Sequence, residues 1–402
     1  MNVGTKPVPD PTTAIARGLE GVVATETRLS HVDGQAGELT IAGFPLQALA
    51  SQATFEEMLF LLWQDRLPTA PELADLKAEL AASRSLPAVT ETLLTEAARQ
   101  RLPGMDALRL GADTLSLADP APGDPSEPAN LKRAKAIAAA IPTIVASYWR
   151  RLQGAAPVEP RPDLSHASNY LYMLFGVEPH PEAARGLETY LNTVVDHGMN
   201  NSTFAARVII SSGTDIYSAV VGAIGALKGP LHGGAPGPAL DMVFQLRQRA
   251  RQSGRSLEQE AEAHVREVVA ADGRIMGFGH RIYKVRDPRA DVLGAAAERL
   301  FQRAVDDGLY ADAQAVEQVV LRVLEELKPG RNLRTNVEFY TALILHGLGL
   351  ELPLFTPTFA VARVGGWTGH ILEQIREGRI FRPRSAYVGG VSRQWVNLED
   401  RS

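Results

Sequence analysis

The chain has 402 residues, 45% hydrophobic and 22% charged, with 41 basic against 46 acidic side chains and a formal charge of -5. That length supports a large core and an expected two domains, and the acidic balance argues against a general polyanion binder, so nucleic acid is not an expected partner. The lack of cysteine excludes disulfides, thiolate metal sites and a cysteine nucleophile.

Met1 to Thr13 is rich in proline and polar residues and lacks the apolar centre of a secretory signal, so a bacterial or archaeal cytoplasm is the expected location. Glu26 to Val32 and Glu38 to Ile41 flank Asp33-Gly34 and Gly37, which predicts a hairpin. Helical signals dominate thereafter. Thr54-Phe-Glu-Glu57 and Thr69-Ala-Pro-Glu72 have the spacing at which a threonine and a glutamate satisfy free N–H groups at a helix start, the second with Pro71 in the first turn. The two helices they open are close enough in sequence to form an antiparallel pair. Proline-rich Ala118 to Ala129 and Gly154 to Asp163 read as loops, too short for domain linkers. Between them, Ala134 to Trp149 is the best apolar stretch, yet it holds Lys135 and Pro142 and is too short to span a bilayer, so no membrane partner is expected. From Ala235 to His346 amphipathic segments predict a small helical domain inserted in a larger one.

Three segments carry chemistry: Gly229-Pro-Leu-His232-Gly-Gly234, Gly277-Phe-Gly-His280-Arg-Ile-Tyr-Lys284-Val-Arg-Asp-Pro-Arg289, and Asn336-Val-Glu338-Phe-Tyr340. They supply two histidines in glycine-rich settings, one carboxylate, and an arginine nine positions after the second histidine. This is a toolkit for making an enolate and adding it to a carbonyl: a carboxylate takes the proton, and N–H donors meet negative charge where it develops. Taken singly, each histidine is more simply a core residue bonded to backbone. Gly277-Phe-Gly279 lacks the third glycine of a dinucleotide fingerprint, no glycine-rich loop ends in Gly-Lys-Ser/Thr, and the nine histidines show no His-Glu-x-x-His spacing. No metal and no resident cofactor are expected.

With Gly18-Leu-Glu-Gly-Val-Val-Ala-Thr-Glu26, Leu61-Leu-Trp63, Phe355-Thr-Pro-Thr-Phe-Ala-Val-Ala-Arg363, Gly366-Trp367 and Arg382-Pro-Arg384, these motifs make the chain resemble the citrate synthase family over most of its length. The resemblance implies a mostly α fold: a large helical domain (1–235 and 346–402) with an inserted smaller helical domain (236–345) and a short N-terminal β-hairpin. It implies condensation of acetyl-CoA with oxaloacetate in a cleft between the domains, with Glu338 as base, His232 as donor to the enolate oxygen and His280 polarising the ketone. His197, His280, Arg289, Arg363 and Arg382 would hold oxaloacetate, Arg382 from the neighbouring subunit of a homodimer. Ile275, Gly277, Gly279, Lys284, Arg331 and Asn336 would hold coenzyme A, Lys284 standing where some relatives have arginine. Glu338 departs from the pattern, which has aspartate there. One methylene moves the carboxylate by about 1.5 Å, and misplacements of ~1 Å can cost ~100-fold in rate. Two alternatives stay open: 2-methylcitrate synthase acting on propionyl-CoA, and a catalytically weak paralogue with a binding or regulatory role.

Overall fold

The computed structural model describes residues 15–233, 236–280, 282–302, 308–390 and 393–401. By contact clustering, Thr27–Arg379 forms one compact unit, while the segments Met1–Glu26 and Ile380–Ser402 group as a second. Within the larger unit three antiparallel strands come first: β1 (Ser30–Asp33), β2 (Glu38–Ile41) and β3 (Phe44–Pro45), with Ser30 opposite Ile41 and Asp33 opposite Glu38. The Asp33 carboxylate closes the predicted turn by accepting the N–H groups of Gln35 (2.9 Å) and Ala36 (2.8 Å). The first strand starts at Ser30 rather than Glu26, because upstream the Arg28 N–H donates to the Glu373 carboxylate at 2.9 Å and not to a strand neighbour. The two-residue β3 is not foreseen by the sequence reading.

Helices α1 (Leu46–Ala50), α2 (Phe55–Gln64), α3 (Ala70–Ala82), α4 (Ala88–Arg99) and α5 (Gly104–Thr114) follow. At the start of α2 the Thr54 hydroxyl accepts the Glu57 N–H at 3.3 Å while the Glu57 carboxylate accepts the Thr54 N–H at 2.7 Å. Glu72 likewise takes the Thr69 N–H at 2.8 Å ahead of α3, which packs on α2. In α6 (Glu127–Leu152) every side chain from Ile137 to Trp149 is buried, so the apolar stretch is a core helix. Its first turn takes Glu127, Pro128 and Ala129 from the expected loop, since a proline there sacrifices no intrahelical hydrogen bond. The rest of that loop is strapped to α6 by the buried Arg133, which donates to the Asp119 carboxylate and to the Asp124 carbonyl, both at 2.6 Å.

Then come α7 (His166–Phe175), α8 (Pro181–Val194), α9 (Asn201–Ile210), α10 (Ile216–Leu227), α11 (Pro236–Ser253), α12 (Leu257–Ala270), α13 (Pro288–Phe301), α14 (Leu309–Leu327), α15 (Val337–Gly347) and α16 (Phe355–Glu377). The fold is thus mostly α, as expected. α16 is the axis of the core, packed by α2, α6, α8, α9 and α10, with Trp367 fully buried at its middle. α12 lies on α14, α11 on α15, and α13 on both α15 and α8. Among the described residues no single helix is long and apolar enough to cross a membrane.

Candidate active site

His232 sits in the turn after α10, where its N–H donates to the Gly229 carbonyl at 2.9 Å. A Cβ at the next residue, Gly233, would collide with the Leu227 carbonyl, so this glycine is required by close backbone approach. The imidazole Nε2 faces the Ser202 hydroxyl at 2.8 Å and the Ser202 N–H at 3.4 Å, both at the N-terminus of α9. A backbone N–H can only donate, so Nε2 accepts and the ring proton lies on Nδ1, on the side away from Ser202. Ser202 in turn accepts the Trp367 indole N–H at 3.0 Å. His197, between α8 and α9, meets the Tyr283 hydroxyl through Nε2 at 3.1 Å, and its ring lies edge-on to His280 with centroids 5.9 Å apart. Arg363, from the first half of α16, is buried with its Cζ 4.6 Å from the Phe359 ring centroid, and Nε donates to the Val194 carbonyl at 2.7 Å.

The second wall is the loop between α12 and α13. Gly277 and Gly279 both have φ of +85°, a backbone state costly to other residues, and they let the loop turn onto the strand-like segment before α15. Gly279 N–H donates to the Arg334 carbonyl at 2.7 Å, and Asn336 N–H donates to the Gly277 carbonyl at 3.0 Å. These bonds fix His280 beside the start of α15, which carries Glu338. Asn336 completes the junction: its amide donates to the Gly279 carbonyl at 2.8 Å and its carbonyl oxygen accepts the Glu338 N–H at 3.0 Å. His280 Nδ1 accepts from the N–H groups of Ile282 (3.1 Å) and Tyr283 (3.0 Å), which places the ring proton on Nε2. Arg289 Nη2 approaches that Nε2 at 3.4 Å, so two donors converge where an acceptor of the substrate would fit. The Arg289 guanidinium is gripped by Asp287 through Nε (3.0 Å) and Nη2 (2.8 Å), and Asp287 also accepts the Val337 N–H at 3.2 Å. One carboxylate therefore ties the arginine to the helix that carries Glu338.

Burial, then the charge of Arg363, pushes His232 down to about 4, and burial, with Arg289 and Lys284 outweighing Asp287, does the same to His280. Burial and the cations Arg289 and Arg363 hold His197 well below the ordinary value. All three rings are neutral at pH 7. Burial pushes Glu338 up to about 7, with Arg289 and Arg363 opposing and Asp287 assisting. Its carboxylate makes no hydrogen bond among the described residues. Burial pushes Arg363 down to about 10, still cationic at neutral pH. The same two arginines thus act electrostatically on His197 and Glu338, Arg289 acting also on His280 and Arg363 on His232.

A cavity of about 640 Å³ opens behind the glycine loop, lined by the predicted Ile275, Gly277, Gly279, Arg331 and Asn336 together with His280. Lys284 does not line it: its side chain is exposed, and its N–H donates to the Gly34 carbonyl of the hairpin turn at 2.8 Å. Arg274 and Lys328 do line it and were missed, although each stands within four residues of a predicted one, Ile275 or Arg331. Tyr283, Asp287 and Ser202 were also missed. Asp287 was legible as the cap that accepts the Arg289 N–H at 3.0 Å, whereas Ser202 has no local signal. Arg382 is exposed and belongs to the unit that Met1–Glu26 and Ile380–Ser402 form. Among the described residues no three His, Asp or Glu side chains gather as a metal set.

The model of the family "Citrate synthase, C-terminal domain" matches residues 18–384. The chain is 38% identical over 390 residues to a citrate synthase of Haloferax volcanii, covering 96% of this chain and 99% of that one. It is 37% identical over 385 residues to a 2-methylcitrate synthase of Mycobacterium tuberculosis, covering 96% and 93%. Among solved structures, citrate synthase from Pyrobaculum aerophilum superposes with a TM-score of 0.87 at 35% identity, covering all of both chains. The ternary complex of Thermoplasma acidophilum citrate synthase with carboxymethyl coenzyme A and oxaloacetate superposes with a TM-score of 0.82 at 28% identity, over 96% of this chain and 100% of that one.

Proposed function

The chain belongs to the citrate synthase family, and from that premise we propose that it condenses acetyl-CoA with oxaloacetate to citrate and free CoA, the thioester being a substrate and no further cofactor taking part. The observation that carries the proposal is the pairing of one non-hydrogen-bonded, half-buried carboxyl group near pH 7 with two neutral histidines whose tautomers each leave an N–H for the substrate.

In this reading Glu338 takes a proton from the acetyl methyl group, and the C–H electron pair becomes the enolate while His232 Nδ1–H donates to the thioester oxygen. The enolate carbon forms the new C–C bond to the oxaloacetate ketone. The π electrons of that carbonyl move to its oxygen, which draws the proton of His280 Nε2. Water then cleaves the thioester of citryl-CoA, releasing citrate and the thiol. Arg289 and Arg363 clamp the carboxylates of oxaloacetate, His197 adds a contact, and the cavity behind the glycine loop takes coenzyme A.

No rigid half of this constellation is complete. We propose that 236–345, carrying His280, Arg289 and Glu338, closes on the remainder, carrying His197 and Arg363, with oxaloacetate binding first and completing the CoA site. A homodimer in which Arg382 reaches the partner's site belongs to the same proposal, supported by the exposure of Arg382 and the family's pattern. So does a cytoplasmic location, in keeping with relatives from bacteria and archaea. The relative from Mycobacterium tuberculosis supports a second reading, propionyl-CoA as donor. One methylene shifts selectivity by only about 1–3 kcal/mol, so both donors are compatible with the same groups.

The test is release of CoA thiol from acetyl-CoA and from propionyl-CoA, each with and without oxaloacetate, with the product identified. Oxaloacetate-dependent citrate formation is expected. Preference for propionyl-CoA would move the assignment to 2-methylcitrate, and no turnover with either donor would leave a binding or regulatory protein.

A further inference from the structure

One turn beyond Arg363, Gly365 and Gly366 let α16 lie against the backbone of Val195 and Asp196. A Cβ at Gly366 would collide with the Val195 carbonyl and stand 2.7 Å from Asp196 Oδ1. Asp196 and His370 are both fully buried. Arg207 Nη1 donates to His370 Nδ1 at 3.1 Å, so the ring proton is on Nε2 and points at Asp196 Oδ2, 3.2 Å away. The Ser30 hydroxyl donates to the same Oδ2 at 2.5 Å and accepts the Gly198 N–H at 2.7 Å. Thus β1, the His197 loop and α16 meet at one carboxylate.

Asp196 Oδ1, by contrast, makes no hydrogen bond among the described residues. A buried carboxylate oxygen without a donor is costly unless its charge acts on a cation. Burial opposes ionisation, yet His370, Ser30 and Arg363 hold the Asp196 carboxyl below the usual range. Arg363 is the cation in question. Its Nε bonds to the Val194 carbonyl, and among the described residues its Nη groups have no hydrogen-bond partner. The charges and dipoles facing it come from Asp196 and His197 in the loop, Tyr190 on α8, His232 after α10, Arg289 on α13 and Glu338 on α15. Of its two carboxylates, Asp196 acts on it more strongly, and Glu338 is assigned to proton transfer.

We infer that Asp196, fixed by Ser30 and His370, is a positioning residue for the oxaloacetate site: it is the internal counter-charge of Arg363 and the anchor of the His197 loop, leaving the Arg363 fork for a substrate carboxylate. The inference rests on the reading of Arg363 and His197 as oxaloacetate contacts. It gives His370 and Arg207 a role in setting affinity for one substrate only.

Asp196→Asn is expected to raise the oxaloacetate KM and Kd about 10-fold or more while kcat stays within about threefold, as for loss of a charge-assisted contact. His370→Phe keeps the volume but not the bonds and should shift the oxaloacetate KM in the same direction. His370→Gln, able to accept from Arg207 and donate to Asp196, should restore most of the affinity. Melting temperatures that fall while the oxaloacetate KM stays within about twofold of the parent in both Asp196→Asn and His370→Phe would overturn the inference. If Asp196→Asn does not fold, Ser30→Ala removes one of the two Oδ2 donors. Its oxaloacetate KM should rise about threefold, and an unchanged KM counts against the inference equally. Arg363→Ala run in parallel separates the two levels: weak binding there with normal binding in Asp196→Asn sinks the inference alone, whereas normal binding in Arg363→Ala sinks the oxaloacetate reading.

Discussion

His280 is held by the N–H groups of its own loop, two and three residues on, whereas His232 is held by Ser202, 30 positions away, and Ser202 by Trp367, a further 165 positions along the chain. Both rings end neutral with one N–H for the substrate, but by different means. The first is set by the conformation of a short glycine-hinged loop and travels with it. The second is set by the alignment of α9 on α16 and is only as good as the helix contact beneath it. The local device tolerates movement of the segment that carries it. The long-range device ties the donor to the packing of α9 on α16.

The sharpest way to break this contrast is to replace each ring or its support. In His280→Asn the amide oxygen can still accept the two loop N–H groups, but the Nε2 donor is gone, so kcat should fall by about 10²- to 10³-fold with the melting temperature unchanged. A large loss of stability would show that the loop depends on the ring for more than those bonds. Ser202→Ala should lower kcat by about 10-fold through His232 and also cost about 1–3 kcal/mol of stability, because the Trp367 N–H loses its acceptor. Lower stability with full activity would mean that the Ser202 backbone N–H, which the substitution keeps, is enough to hold the His232 tautomer.

The cavity proposed for coenzyme A offers a further contrast, between a side chain that lines it and one that only shares its motif. Lys328→Ala should raise the acetyl-CoA KM by about 10-fold, while Lys284→Ala should change it by less than about threefold. The reverse order would return Lys284 to the CoA site.

The smallest effect per step is that of pH. Because burial raises Glu338 to about 7, kcat/KM for acetyl-CoA should fall about tenfold per unit below that value and level off above it. The sign for stability is opposite. A carboxyl group whose folded pKa is raised favours the fold while protonated, so its cost is absent below the unfolded value near 4.5 and grows as pH rises to about 7. Glu338→Gln should therefore melt higher than the parent at pH 8 and alike near pH 4. Equal melting curves at pH 8 would show that the carboxyl is not desolvated.

The same contrast explains what the sequence could show. His280, Arg289 and Glu338 were legible because the partners that shape them lie within a few residues: Asp287 grips Arg289, and Asn336 caps the turn that holds Glu338. The hairpin turn and the capped starts of α2 and α3 were legible for that reason too. Ser202, its bond to Trp367 and the Asp196–His370 pair were not, since these bonds join residues more than a hundred positions apart or, for Ser202 and His232, across two helices. Lys284 lies outside the cavity lining because a motif fixes order along the chain and not which way a side chain leaves the loop. β3 is too short to leave a period in the sequence.

The central claim is that Glu338, despite its extra methylene, is the base. Glu338→Gln should keep the fold and the oxaloacetate Kd while condensation falls by about 10²- to 10⁴-fold, since the isosteric amide cannot accept the methyl proton. Condensation within about threefold of the parent rate, with oxaloacetate bound as before, would contradict the account and remove Glu338 from the chemistry.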